Sequence, residues 1–307
     1  MMSVKRSSSL SKAKLKNERQ AYLLIGLQII GFFVFSIYPI IWVFRYGFYN
    51  YDGVTATFCG FDNFVRAFRD NVYWSSLVNT FIIAYGKLLI EIPLSFLVAL
   101  ALTSGMVKCK RLFMVGFYLP KVTGIAVNCM IFSFLFATFN GPINNLLESV
   151  GIIDSAVNWF GAKWTAILVI MLRSTWVGFS MNTLYFMAGI SGVSEDCLEA
   201  AKVDGANGFQ IFFKITLPML APVLRTILML AMVNGMKVYQ DVMLLTNGGP
   251  GNSTNVVMLY LYQLYFESET AVPQYGYASA LGIITTIIIG AITVVYLKLS
   301  KKADSVY

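Results

Sequence analysis

The chain has 307 residues, 57% of them hydrophobic and only 12% charged, against about 25% charged in a soluble domain. Its formal net charge is +8, but the positive residues flank apolar runs instead of lining one polar face, which argues against nucleic-acid binding and for orientation in a lipid bilayer. Histidine is absent, so the commonest general base and metal ligand is missing. Cys59, Cys109, Cys129 and Cys197 fall in separate segments without C-x-x-C spacing, which supports neither a zinc site nor a disulfide framework.

The first segment, "MMSVKRSSSLSKAKLKNERQ", is polar and basic. The apolar run after it is too long for a signal peptide, and no small-residue cleavage site follows. Residues 1–20 therefore read as a cytoplasmic tail, residues 21–298 as a transmembrane domain, and residues 299–307 as a second cytoplasmic tail. A membrane helix needs about 20 mostly apolar residues. Six stretches meet this: about Ala21 to Phe44, Leu77 to Thr103, Leu112 to Phe139, Trp164 to Ile190, Met219 to Leu245 and Tyr277 to Leu297. Pro93 and Pro120 fall inside the second and third, where a proline is either a tolerated kink or a break lining a path.

Cytoplasmic loops are enriched in Lys and Arg. With the N-terminus inside, 15 of the 23 Lys and Arg residues fall on inside segments. Arg45, Arg66, Arg69 and Lys163 fall outside, and Lys87, Lys121, Arg173 and Lys237 lie within spans. Both termini are thus expected in the cytoplasm of a multi-pass plasma-membrane protein. The outside segments, such as "YDGVTATFCGFDNFVRAFRDNVYW" and "TNGGPGNSTN", are too short to form a catalytic domain.

One inside loop stands apart: "EAAKVDGANGFQIFFKITLPMLAP", from Glu199 to Pro222. Upstream, Ser194 followed by Glu195 and Asp196 predicts a helix start. Gly205 is a suitable helix stop. Asn207, with Gln210 three residues on, predicts a capping box. Phe209, Phe212 and Phe213 share one helix face. The expectation for residues 194–222 is two short helices about a glycine hinge at the membrane surface. By pattern alone this is also what an ordinary interfacial helix looks like.

Glu199-Ala200-Ala201, Asp204-Gly205-Ala206, Phe212, Ile215, Pro218 and Pro222 resemble the EAA loop of the permeases of binding-protein-dependent ABC importers. The resemblance covers nearly the whole chain. "YPIIWVFRYGFYNYDG", "FDNFVRAFRDNVYWSSLVNT" and "TNGGPGNSTNVVMLYLYQLYF" are similar to segments of the sugar-importing branch. It implies an all-α membrane fold of six transmembrane helices, the type I importer permease fold, in a bacterial cell membrane. It implies that Glu199, Ala200, Ala201, Asp204, Gly205 and Ala206 couple to an ATPase. It also implies two ATP-binding subunits that carry ATP and Mg, a second permease subunit forming a heterodimer, and an extracellular solute-binding protein. The chain has no G-x-x-x-x-G-K-[ST] phosphate loop, so any ATPase activity belongs to another chain and this one is not expected to be an enzyme.

Apart from Arg225, counted with the inside segments at the inner end of the fifth stretch, six ionisable residues fall within the spans: Lys87, Glu91, Lys121, Arg173, Lys237 and Asp241. Each costs at least about 2.5 kcal/mol at a bilayer centre unless it is paired or lines a cavity. Lys87 with Glu91, and Lys237 with Asp241, are four residues apart and can neutralise each other on one helix face. "KVYQDVMLLTNGGP" resembles the fifth span of the sugar branch, which is implied to line the path. Asp241, Lys237, Tyr239, Gln240 and Arg173 are therefore the expected path residues. Tyr239 and Gln240 supply the ring and amide that sugar recognition uses. Lys121 and Arg173 depart from the family pattern, either answering acids such as Glu91 or favouring an anionic solute such as an acidic sugar or glycerol phosphate. A neutral oligosaccharide is the first expectation. The competing function is an ion- or proton-coupled secondary transporter, for which no inverted repeat is apparent.

Overall fold

The structure is a computed structural model that describes Tyr22 and residues 25–104, 107–236, 238–266 and 272–304, with backbone alone for 299–304. The basic tail 1–20, Lys237 and the last residues of the second tail lie outside the described residues. The described residues are mostly helical, and the chain divides into two compact units. One holds the described residues up to Arg69 together with Leu264–Ile292, and the other holds Asp70–Gln263 with the residues from Thr293.

In the first unit α1 spans Ile25–Tyr46. A hairpin follows, β1 Tyr49–Tyr51 and β2 Ala56–Phe58, antiparallel with Tyr49 opposite Phe58. The sequence reading did not contain this hairpin, because three-residue strands carry too little alternation to register. Its turn is closed by Asp52, whose carboxylate accepts from Thr55 N at 2.6 Å and Val54 N at 2.8 Å. These bonds hold the Asp52 carboxyl below the usual carboxylate range, those to Thr55 N and then Val54 N being the main causes. Helix α2, Asp62–Phe68, is tied to the hairpin by buried Asn63, whose Nδ2 donates to Tyr49 O at 3.0 Å and Gly47 O at 3.2 Å. Trp42, Tyr46, Tyr51 and Tyr275 form an aromatic cluster, with the Tyr46 and Tyr51 rings 4.3 Å apart. Aromatic rings with polar tips suit a membrane–water boundary. Gly276 comes so close to the Tyr49 carbonyl that a Cβ there would collide with it.

The second unit is organised about α3, Asn71–Thr103, and α7, Lys163–Ser191, which are each other's principal neighbours. Asp70 caps α3 by accepting from Val72 N and Tyr73 N. α3 runs through Pro93 without a break. Between them in sequence lie α4, Lys110–Val122, α5, Ile125–Leu135, and α6, Pro142–Ser149. After α7 come α8, Glu195–Val203, α9, Gly208–Met219, α10, Ala221–Gly235, and α11, Tyr239–Leu245. Helix α12, Val257–Phe266, precedes α13, Tyr275–Asp304. A core of Ile83, Ile167, Ile170, Val242, Val256 and Leu259 joins α3, α7, α11 and the segment entering α12. Asn79, fully buried, donates to the Ser253 and Asn255 carbonyls at 2.9 Å and so fixes the "TNGGPGNSTN" turn to α3.

Among the described residues four helices are long and apolar enough to cross a membrane, and up to six spans result if each of two bent pairs counts as one. The third expected span, Leu112 to Phe139, is not one straight helix. α4 and α5 meet at 100°, and α5 stops at Leu135. Buried Asn128 explains why the corner is tolerated: its Nδ2 donates to Pro120 O at 2.8 Å and Thr123 O at 3.2 Å, and its Oδ1 accepts from Thr123 Oγ1 at 2.8 Å. Carbonyls freed by a break in the membrane must find donors within the protein. The fifth expected span, Met219 to Leu245, also breaks. α9 and α10 meet at 57°, and the helix is interrupted again between Gly235 and Tyr239.

Candidate functional site

Lys87, Glu91, Lys121, Arg173 and Asp241 converge on a cavity of about 350 Å³ inside the second unit, lined from α3, α4, α5, α7, α10 and α11. Lys87 and Glu91, one turn apart on α3, form an ion pair at 3.3 Å with 6% and 3% of their surfaces exposed. The contact at Glu91 Oε2 is one of charge without hydrogen-bond geometry. Facing it, Ser174, Gly178 and Asn182 recur every fourth residue of α7 and make one stripe. Ser174 Oγ accepts from Lys87 Nζ at 3.2 Å, and Asn182 Nδ2 donates to Glu91 Oε1 at 2.6 Å. Gly178 leaves room for the carboxylate, since a Cβ there would overlap Glu91. The expected i,i+4 neutralisation of Lys87 by Glu91 is present, and the neighbouring helix holds it in place.

The second expected pair is different. Asp241 is bonded to Arg173 on α7. Lys237 lies outside the described residues. Arg173 also donates from Nη2 to the Ile125 carbonyl at 3.5 Å, and its Nε is buried without a hydrogen-bond partner. Arg173 thus reaches the first residue of α5 beside the corner, and the same corner carries Lys121 into the cavity lining.

Of the expected path residues, Asp241, Arg173 and Gln240 line the cavity. Tyr239 does not. It packs on the apolar core and stacks with Tyr262, centroids 6.3 Å apart. The aromatic wall of the cavity is Tyr185, and exposed Asn234 adds an amide. Ser174, Gly178, Asn182, Tyr185 and Asn234 escaped the sequence reading. The four-residue recurrence of small and polar residues in "RSTWVGFSMNT" was the available signal for the first three.

At the other candidate site, Ser194 occupies the N-cap of α8 but its side chain makes no capping bond, so Glu195 and Asp196 act on the helix start through charge alone. The stop is a Schellman motif: Gly205 has φ +77°, Ala206 N donates to Ala201 O at 2.9 Å, and Gly205 N donates to Lys202 O at 3.1 Å. Asn207 and Gln210 form the expected capping box, both bonds 2.9 Å. Phe209 and Phe213 stack at 4.4 Å, and Phe212 meets Phe96 of α3 at 5.9 Å. Glu199, Ala200, Asp204 and Gly205 are exposed, Ala206 is half-buried and Ala201 is buried. Val203, 87% exposed, and Phe209, 72% exposed, leave apolar surface uncovered beside them.

Residues 91–303 match the family described as binding-protein-dependent transport system inner membrane component. The arabinooligosaccharides transport system permease protein of Bacillus subtilis is 32% identical over 91% of this chain and 88% of its own length. The lactose transport system permease protein of Rhizobium radiobacter is 27% identical over 94% and 96%. The fold matches a chain of a bacterial alginate ABC transporter crystallised with an alginate pentasaccharide-bound periplasmic protein, with a TM-score of 0.80 and 22% identity over 95% of this chain and 97% of that one. Permease subunits of this kind are not enzymes; hydrolysis of ATP lies on separate subunits. The chain belongs to the binding-protein-dependent transport system inner membrane components, as a multi-pass permease subunit of the sugar ABC transporter kind.

Proposed function

We propose that this chain forms half of the translocation path of an ATP-driven importer and passes a sugar or oligosaccharide through the cavity between α3, α7 and α11. The observation that carries this reading is the cavity's chemistry. Buried charges are paired along its walls, while Tyr185, Asn234 and Gln240 offer a ring face and amides, the mixture that binds sugar rings and hydroxyls. The two buried ion pairs keep the path polar without stranding any of their four charges in the bilayer.

The partners follow from the same reading. An extracellular solute-binding protein delivers the solute, as the periplasmic protein in the related complex suggests. A second permease completes the path as a heterodimer. Two ATP-binding subunits hold ATP and Mg and dock on the loop that carries Glu199, Ala200, Ala201, Asp204, Gly205 and Ala206. Exposed Val203 and Phe209 supply the apolar part of that contact. Both termini and this loop lie in the cytoplasm.

Reconstitution of the complete assembly with its binding protein tests the proposal. Uptake of labelled arabinotriose or lactose into vesicles is expected to require ATP and the binding protein. Uptake by this chain without an ATPase, abolished by an ionophore, would instead make it a secondary transporter.

A further inference from the structure

The charges lining the cavity do not cancel. Among the described residues they are the cations Lys87, Lys121 and Arg173 and the anions Glu91 and Asp241. Glu91 is taken by Lys87 and Asn182, and Asp241 by Arg173. Lys121, an exposed side chain on the cavity lining, has no hydrogen bond or ion pair among the described residues. Lys121 stands one residue before the end of α4, next to Pro120, whose carbonyl Asn128 binds at the corner. A second donor, the buried Nε of Arg173, is also unanswered. An exposed ammonium and a buried guanidinium N–H, both without an acceptor and both on one cavity, are donors open to an anion from outside the chain.

We infer that the solute is an anionic saccharide carrying one negative charge per recognised residue, such as a uronate, whose carboxylate is held by Lys121 while Asn234 and Gln240 meet its hydroxyls. This rests on the sugar-path reading above and narrows it. Glu91 and Asp241 are engaged within the chain, which leaves the Lys121 ammonium for a carboxylate of the solute. Lys is suited to the task as a compact charge on a flexible stem, able to follow a carboxylate through successive positions.

The test is direct binding to the complete permease–ATPase assembly in nanodiscs, with galacturonate and galactose as probes that differ only in the carboxylate, followed by saturation-transfer NMR. Galacturonate is expected to bind about fivefold more tightly, as one partly exposed ion pair allows, with the margin shrinking as salt rises. Lys121→Gln should erase the preference, and Lys121→Arg should keep it. Equal binding of the two sugars, or a preference that survives Lys121→Gln, overturns the inference and leaves the sugar path standing. Binding of neither sugar by an assembly that hydrolyses ATP overturns the sugar path itself.

Discussion

Arg173 on α7 is ion-paired with Asp241 on α11, a partner 68 residues away in sequence, with 4% and 5% of the two residues exposed. Removing one member of a buried pair strands the other and costs about 3–5 kcal/mol, whereas removing both is close to neutral. Arg173→Met and Asp241→Asn should each lower the melting temperature of the detergent-purified assembly strongly, and the double variant should regain most of the loss. If the double variant melts no higher than the worse single one, the pair does not couple the two helices.

Gly178 sets how closely α7 can approach the Glu91 carboxylate. Gly178→Ala forces Glu91 off Asn182 and should destabilise the assembly by about 1–3 kcal/mol, the usual range for overpacking. In a Lys87→Met/Glu91→Ala background the space is free, so the same substitution should cost much less. An equal loss of melting temperature in both backgrounds would place the strain elsewhere.

Much of this was legible beforehand. The apolar runs gave the helices, and Gly205, Asn207 and Gln210 gave the loop's turn chemistry, because those signals are local. The Arg173–Asp241 pair was not legible, because it joins two helices whose residues are 68 positions apart in sequence. The corner after Val122 was missed for a similar reason. Its breaking residues, Thr123 and Gly124, are common within spans, and the group that sustains the corner, Asn128, reads as an isolated polar residue until the carbonyls of Pro120 and Thr123 surround it. Tyr239 was placed in the path because an aromatic beside an amide fits a sugar. Helix phase decides which side chain faces the cavity, and it turns Gln240 there and Tyr239 into the core.

Orientation can be read from the cysteines, which are free among the described residues. Cys197 on α8 and Cys109 before α4 are exposed, and Cys59 at the end of the hairpin is half-buried beside Asn63. Single-cysteine variants on intact cells should react with an impermeant maleimide at Cys59, slowly, and at Cys109 and Cys197 only after the membrane is opened. Labelling of Cys197 from outside would invert the topology and remove the loop from any cytoplasmic ATPase.

Gly205 provides a test of coupling that separates backbone strain from crowding. Its φ is +77°, yet nothing lies within 4 Å of where a Cβ would stand. Any side chain therefore fits, and only the left-handed backbone resists it, by about 1–2 kcal/mol for an ordinary residue and less for Asn. A β-branched residue resists most. ATPase co-purification and ATP-dependent uptake should then fall in the order Gly, Asn, Ala, Val, with Asn better tolerated than the smaller Ala. Crowding against a docked ATPase would give another order, with Ala the mildest change. If Gly205→Val bound the ATPase and transported as well as Gly205→Asn, the Schellman turn would be irrelevant to docking, and residues 199–206 would be an inert surface helix.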